Sequence, residues 1–285
     1  MTEQNPTLLA RVGRDINRRL REARNTIEWS VAQRSPWCRN RWGHRYQVES
    51  LTEYHYLRDG NPETHEAALL ERLLRPGMTV LDVGANRGLF TLEAAHFVGE
   101  SGTIHAFEPT PATRARLIAN LQANGLDHVR VLGSAISETP GRARLRVHHR
   151  WTGLNTLADH DITWLGTELA ADEIVEVPVT TLDHHAESTG LGLIDFLKID
   201  IEGFELFAIR GARRLLSAQR VRWLMLEVGD GTCANAHVQP GAILDELQKY
   251  HYELHTIEPD GSIGSQVERF PERSFSANFL AFPRA

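Results

Sequence analysis

From about residue 62 the chain switches between two kinds of apolar patterning. Glu63 to Leu74 carries apolar residues at helical spacing and stops at Arg75-Pro76-Gly77, which predicts a helix and its end. Thr79 to Val83 is a short apolar run and predicts the first strand. A helix over 89–98, a second strand over Ile104 to Phe107, a helix from Pro111 to Asn124 closing at Gly125, and a third strand over Val129 to Leu132 follow. Strand, helix, strand in this order predicts parallel pairing through right-handed crossovers, with ligands beyond the carboxyl ends of the strands. Residues 142–181 interrupt the alternation with two β-like runs, Ala143 to His148 and Ile174 to Thr181, around a polar loop containing Trp151, Asn155 and Trp164. That is the natural place for a substrate lid.

A chain of 285 residues with 41% hydrophobic content can bury a full core. The expected division is an N-terminal basic helical extension over residues 1–60 and one doubly wound α/β catalytic domain over 61–285. No run approaches the ~20 apolar residues of a membrane span, and no signal-peptide core is visible, so a soluble, cytoplasmic chain without an integral membrane span is expected. Cys38 and Cys233 are isolated, which gives neither a disulfide framework nor metal-ligand spacing. The net charge of −6 is uneven, since residues 1–45 hold ten arginines against four acids. Leu8, Val12, Ile16 and Leu20 form one apolar stripe of a helix there, with Arg11, Arg14, Arg18 and Arg21 around it. Such a helix packs on its own domain, on a second subunit of a homodimer, or on an anionic surface.

Residues 80–88 read Val-Leu-Asp-Val-Gly-Ala-Asn-Arg-Gly, a strand running into a glycine turn with Asp82 just before it. A second strand delivers Glu108 twenty positions past Gly88, a spacing that suits an acid gripping the vicinal hydroxyls of a ribose. A dinucleotide pyrophosphate wants G-x-G-x-x-G, whereas here the glycines are Gly84 and Gly88 with Asn86 between them. A carboxylate at Asp82 repels phosphate and attracts an ammonium or sulfonium group. S-adenosylmethionine carries both cations and a ribose, so Asp82, Gly84, Asn86, Gly88 and Glu108 are its candidate contacts. The turn Ser134 to Ser137, with Ala135, lies where its adenine would rest. The rival tenant is a nicotinamide dinucleotide of an oxidoreductase.

The second informative run is Ile194 to Glu205, an apolar strand that carries Lys198 inside it and delivers Asp200 and Glu202 at its carboxyl end. A lysine in a buried strand is costly without a carboxylate partner, so Asp200 or Glu202 is expected to pair with it. The histidine pairs His148-His149 and His184-His185 sit on adjacent positions without a third ligand, which argues against metal binding by either.

These stretches together carry a resemblance. Leu81 to Gly88, Ala106-Phe107-Glu108-Pro109, Thr181-Leu182-Asp183, and Lys198 to Glu205 followed by Gly211-Ala212 resemble the FkbM family of S-adenosylmethionine-dependent methyltransferases over about residues 75–230. The resemblance implies a Rossmann-like fold with a seven-stranded sheet, Val221 to Val228 as the fifth strand, and Tyr252 to Ile257 with Phe275 to Phe282 at an antiparallel edge. It also implies O-methylation of a small-molecule hydroxyl on a natural product, sugar or related metabolite. For that chemistry Asp200 or Glu202 is the candidate base, Lys198 its electrostatic partner, and Asn155 and Trp151 candidate substrate contacts from the lid. A variant places a divalent cation such as Mg2+ between Asp200 and Glu227, but two carboxylates alone do not establish a metal. A nucleic-acid partner is not expected, because Asp200-Ile201-Glu202-Gly203 stands where an Asp/Asn-Pro-Pro-aromatic run is needed and the catalytic region is acidic. A non-catalytic scaffold keeping the fold is the remaining alternative.

Overall fold

A central sheet positions the carboxylates of the site, and its inner strands form where the sequence has short apolar runs that are buried on both faces. The structure, a computed structural model, describes residues 37–48, 64–149, 151–164, 167–271 and 274–284. The chain divides into two units, Met1–Pro62 and Glu63–Ala285. In the first, β1 (Trp37–Arg39) and β2 (Arg45–Gln47) form an antiparallel pair. The expected apolar stripe from Leu8 to Leu20 lies outside the described residues.

The second unit begins with α1 (Thr64–Leu73), then β3 (Thr79–Val83), α2 (Leu89–Val98), β4 (Thr103–Phe107), α3 (Pro111–Gln122) and β5 (Arg130–Leu132). An insertion follows: β6 (Ala135–Ile136), β7 (Gly141–Val147), a 3-10 turn (Thr152–Leu154), β8 (Ile162–Trp164), β9 (Thr167–Leu169) and β10 (Glu173–Thr180). The chain then continues through α4 (Leu182–Thr189), β11 (Ile194–Ile199), α5 (Glu205–Arg210), α6 (Arg213–Ser217), β12 (Val221–Gly229), α7 (Asp230–Asn235) and α8 (Gly241–Lys249). It ends with β13 (Tyr252–Ile257), β14 (Ile263–Gln266) and β15 (Ser276–Pro283).

The main sheet runs β14-β13-β15-β12-β11-β3-β4-β5. Strands β12, β11, β3, β4 and β5 pair in parallel, and β15 is antiparallel to both β12 and β13. This is the mixed, mostly parallel Rossmann-like sheet expected, with one correction: it has eight strands and not seven. The added edge strand Ile263–Gln266 pairs with β13 after the turn at Gly261. It is short, half glycine and serine in its middle, and has no alternation that marks a strand.

The core follows from this order. Leu81 and Val83 of β3, Leu197 and Ile199 of β11, and Leu224 and Leu226 of β12 are fully or almost fully buried under Leu182 of α4, Ile209 of α5 and Ile243 of α8. Burial of each such side chain contributes about 1.5–3 kcal/mol. The insertion has its own smaller core. There β7 and β10 pair antiparallel and β6 joins β10 in parallel, enclosing Ala135, Leu145, Val147 and Val177. Among the described residues, no helix is long and apolar enough to cross a membrane.

Candidate active site

The carboxyl ends of β3, β4, β11 and β12 lie side by side, so Asp82, Glu108, Asp200 and Glu227 converge from four strands on one edge of the sheet. What holds them there differs from residue to residue.

At the end of β3 the backbone turns with φ +86° at Gly84. A Cβ on Gly84 would stand 1.8 Å from the carbonyl oxygen of Asp200, so the close approach of the β11 end requires a glycine there. The same contact is tied by the Asp200 amide, which donates to the Val83 carbonyl at 3.0 Å. The turn's amides point inward: Gly84 and Ala85 donate to the Phe107 carbonyl at 3.1 and 2.9 Å, and Gly88 donates to Ala85. Asn86, at φ +48°, donates its amide to Glu108 Oε2 at 3.0 Å. Four amides of this turn are therefore used within the fold. A pyrophosphate needs such amides free, which argues against the dinucleotide reading.

Glu108 is buried, and its other oxygen accepts from the Thr110 amide at 2.8 Å. Burial pushes its carboxyl up to about 7 even though the amides of Thr110 and Asn86 pull the other way. The Thr110 hydroxyl bonds it as well, and the acceptor position that remains suits a hydroxyl donor. Asp82 sits deeper than the sequence implied: it has no exposed surface, and its Oδ2 accepts from the Thr91 hydroxyl. It forms the floor under the turn and does not line an open wall. Its Oδ1 is buried without a partner, and burial raises its carboxyl above the ordinary range although Lys198, its register neighbour on β11, draws it down.

Lys198 resolves the question of its partner. Its Nζ lies 2.9 Å from Asp200 Oδ2 and 5.2 Å above the Phe90 ring, with only 11% of the side chain exposed. Asp200 meets Glu227 from β12, and oxygens of Asp200, Glu202 and Glu227 fall within 4.8 Å of one another, near enough to share a proton or one cation. Burial pushes Asp200 up, but the Lys198 charge and the hydrogen bonds from Glu227 and Lys198 outweigh it and hold Asp200 below the usual carboxylate range. Glu227 is pushed up to about 9 by the Asp200 charge first and burial second, so at neutral pH it carries the proton of the pair. Glu202 is also raised, by burial and then by the charges of Asp200 and Glu227. Its backbone is left-handed at φ +55°, a strained geometry for a non-glycine residue.

Glu205 fixes this turn, a role that sequence reasoning did not assign to it. Its Oε1 accepts from the amides of Ile201 and Gly203 at 3.0 and 3.2 Å. Gly203 is needed because a Cβ there would stand 2.1 Å from the Thr232 carbonyl oxygen. A glutamate at the first helical position, three residues into a polar turn, was the available signal.

The insertion reaches both ends of the site. The Thr152 hydroxyl donates to Asn86 Oδ1 at 3.1 Å, and the Thr156 hydroxyl donates to the Glu202 carbonyl at 3.2 Å. Asn155 lies between them, but its Oδ1 accepts from the His148 amide at 2.8 Å and its Nδ2 donates to the Thr110 hydroxyl at 3.1 Å. The structure thus gives Asn155 a bracing role on the loop beside Glu108. Trp151 stands at the rim with 52% of its surface exposed. The Ala135 methyl is enclosed in the small core of β6, β7 and β10. The His184-His185 pair lies on α4 and not at a strand end: His185 is buried and meets His105 at 2.8 Å, while His184 is exposed.

This donor set fits S-adenosylmethionine. Glu108 offers acceptors for ribose hydroxyls, Asp82 holds an unpartnered oxygen beneath the turn, and no free amide cradle for a diphosphate is present among the described turn residues. The family and sequence comparisons agree. Residues 82–254 match the methyltransferase FkbM domain. The chain is 33% identical over 183 residues to 31-O-demethyl-FK506 methyltransferase FkbM of Streptomyces tacrolimicus, covering 55% of this chain and 67% of that protein. It is 26% identical over 213 residues to the 2-O-methyltransferase NoeI of Sinorhizobium fredii, covering 70% of this chain and 83% of that one. The solved S-adenosylmethionine-dependent O-methyltransferase of Thermotoga maritima aligns at 14% identity with a TM-score of 0.42, covering 87% of this chain and 77% of that chain. The chain belongs to the FkbM methyltransferase family, and its cofactor is S-adenosylmethionine.

Proposed function

We propose that this methyltransferase acts on a hydroxyl of a small molecule, with Asp200 as the group that takes the hydroxyl proton. The observation that carries the reading is the position and charge of Asp200: a carboxylate held ionised by Lys198 at 2.9 Å, at the strand end that packs directly on the Gly84 turn. The cofactor supplies an electrophilic methyl group on a sulfonium. The protein's part is to hold the acceptor oxygen in line about 3 Å from that carbon and to receive its proton. Glu108 anchors the cofactor's ribose, Lys198 keeps Asp200 charged, and Glu227 donates to Asp200 and so orients it. Glu202, held by the strained turn, orients the acceptor. The segment from Trp151 to Thr156 covers the cleft, which suits a compact acceptor. The names of the relatives, an O-demethyl substrate in one and a 2-O-methyl product in the other, support oxygen as the target.

The test is methyl transfer from labelled S-adenosylmethionine to a panel of alcohols, sugars and polyketide-like acceptors, read by mass spectrometry. Transfer to oxygen that needs no added Mg2+ is the expected result. Transfer only to nitrogen or carbon acceptors would overturn the reading. Loss on chelation with recovery on Mg2+ would assign the Asp200, Glu202 and Glu227 oxygens to a cation in place of the shared proton.

A further inference from the structure

A second group of ligating side chains gathers away from the methyl-transfer carboxylates. Asp159 and His160 lie on the turn between the docked 152–156 segment and β8, and His237 lies on the connection between α7 and α8. One ligand atom from each falls within 4.8 Å of the other two. His160 Nδ1 is 2.9 Å from Asp159 Oδ1, and His237 Nε2 is 3.7 Å from the same oxygen. The two imidazole centroids are 4.9 Å apart with planes tilted by 34°. Donor atoms on a tetrahedral ion with bonds of about 2.0–2.1 Å stand about 3.3 Å apart, and the two observed separations bracket that value.

Both backbones that carry these side chains are anchored. Arg146 donates to the carbonyls of Ala158 and Asp159 at 3.2 and 2.8 Å and pairs with Asp161 at 2.9 Å, which locks the first turn. His237 is held at φ +56° between the buried residues Ala236 and Val238. The Thr163 amide donates to Asn235 Oδ1 at 3.2 Å and already links the two segments. The ligand side chains themselves face solvent, with Asp159 at 85% and His237 at 74% exposure, so an ion enters without opening the fold and keeps water in its remaining positions.

We propose that Asp159, His160 and His237 bind one divalent transition ion of the zinc class, which clamps the insertion to the α7–α8 connection. Two nitrogens and one oxygen select such an ion over Mg2+ or Ca2+, which prefer oxygen-only shells. Residues 152–156, a few positions upstream, touch Asn86 and the Glu202 carbonyl, so fixing the turn at 159–160 steadies the segment that covers the cleft.

The experiment uses the full chain stripped of metal and titrated with Co2+, read by visible absorption, and with Zn2+, read by calorimetry. One site with nitrogen-coordinated cobalt bands is expected in the wild type and in the exposed control His149→Ala. His160→Ala, His237→Ala and Asp159→Asn should each weaken that site at least about tenfold. Absence of the cobalt bands in the wild type, or variants that bind as the wild type does, would overturn the site. Hydrogen exchange on the unmodified chain tests the clamp without any substitution: saturating Zn2+ slows exchange over 157–164, and unchanged exchange there rejects the clamp.

Discussion

At the carboxyl end of β4 a buried carboxylate, Glu108, is gripped by two backbone amides, whereas at the ends of the adjacent β11 and β12 three carboxylates crowd around one lysine. The first region is organised by hydrogen bonds that are complete before any ligand arrives, so it sets which ligand is accepted. The second is organised by charge crowding, so it stores and relays a proton. The contrast teaches that cofactor recognition and proton transfer are separable in this fold even though Gly84 and Asp200 touch through their backbones.

The change that divides the two regions most strongly is Asp200→Asn. The amide keeps the shape but accepts no proton, so turnover should fall by about 10²–10⁴-fold with cofactor affinity unchanged, as steady-state kinetics and calorimetry with S-adenosylhomocysteine would show. A next step joins the regions by force. Gly84→Ala puts a methyl against the Asp200 carbonyl at a left-handed backbone position and should cost roughly 3 kcal/mol or more, visible as a lowered urea midpoint with loss of both functions.

Glu108→Ala acts on the cofactor side alone. Loss of a charged acceptor worth about 1.5–3 kcal/mol should weaken S-adenosylhomocysteine about 10- to 100-fold while leaving the fold intact. The pH dependence follows from its raised carboxyl. Below about 7 Glu108 is protonated, so wild-type affinity should fall as pH drops through that value, and Glu108→Gln should flatten the profile. For the ligand-free fold the sign is opposite: stability from this group is present below 4.5 and lost as pH rises through about 7. Thr152→Val removes only the hydrogen bond from the insertion to Asn86 and should cost about 1 kcal/mol, seen as a few-fold rise in acceptor KM with little change in kcat.

The sheet and most of the cofactor turn were legible because parallel strands buried on both faces leave continuous apolar runs, and because a strand end followed by glycine and an acid twenty residues on is a local pattern. What escaped depends on partners far away in the chain. Ala135 follows closely on β5, yet its side chain enters another core because its strand pairs with β10 at Val179. The pairing of Asp200 with Lys198 was readable two positions apart, but the raised carboxyl of Glu227 needs β12 alongside β11. The edge strand β14 has no hydrophobic period, since its place is set by β13. Asp159, His160 and His237 are brought together only by the packing of the insertion, which no spacing rule reveals.

The most direct test of the separation between recognition and proton transfer is calorimetry with S-adenosylhomocysteine on Glu108→Ala and Asp200→Asn side by side. Binding weakened in Glu108→Ala and kept in Asp200→Asn is the predicted result. Binding kept in Glu108→Ala, or lost in a folded Asp200→Asn, would contradict it.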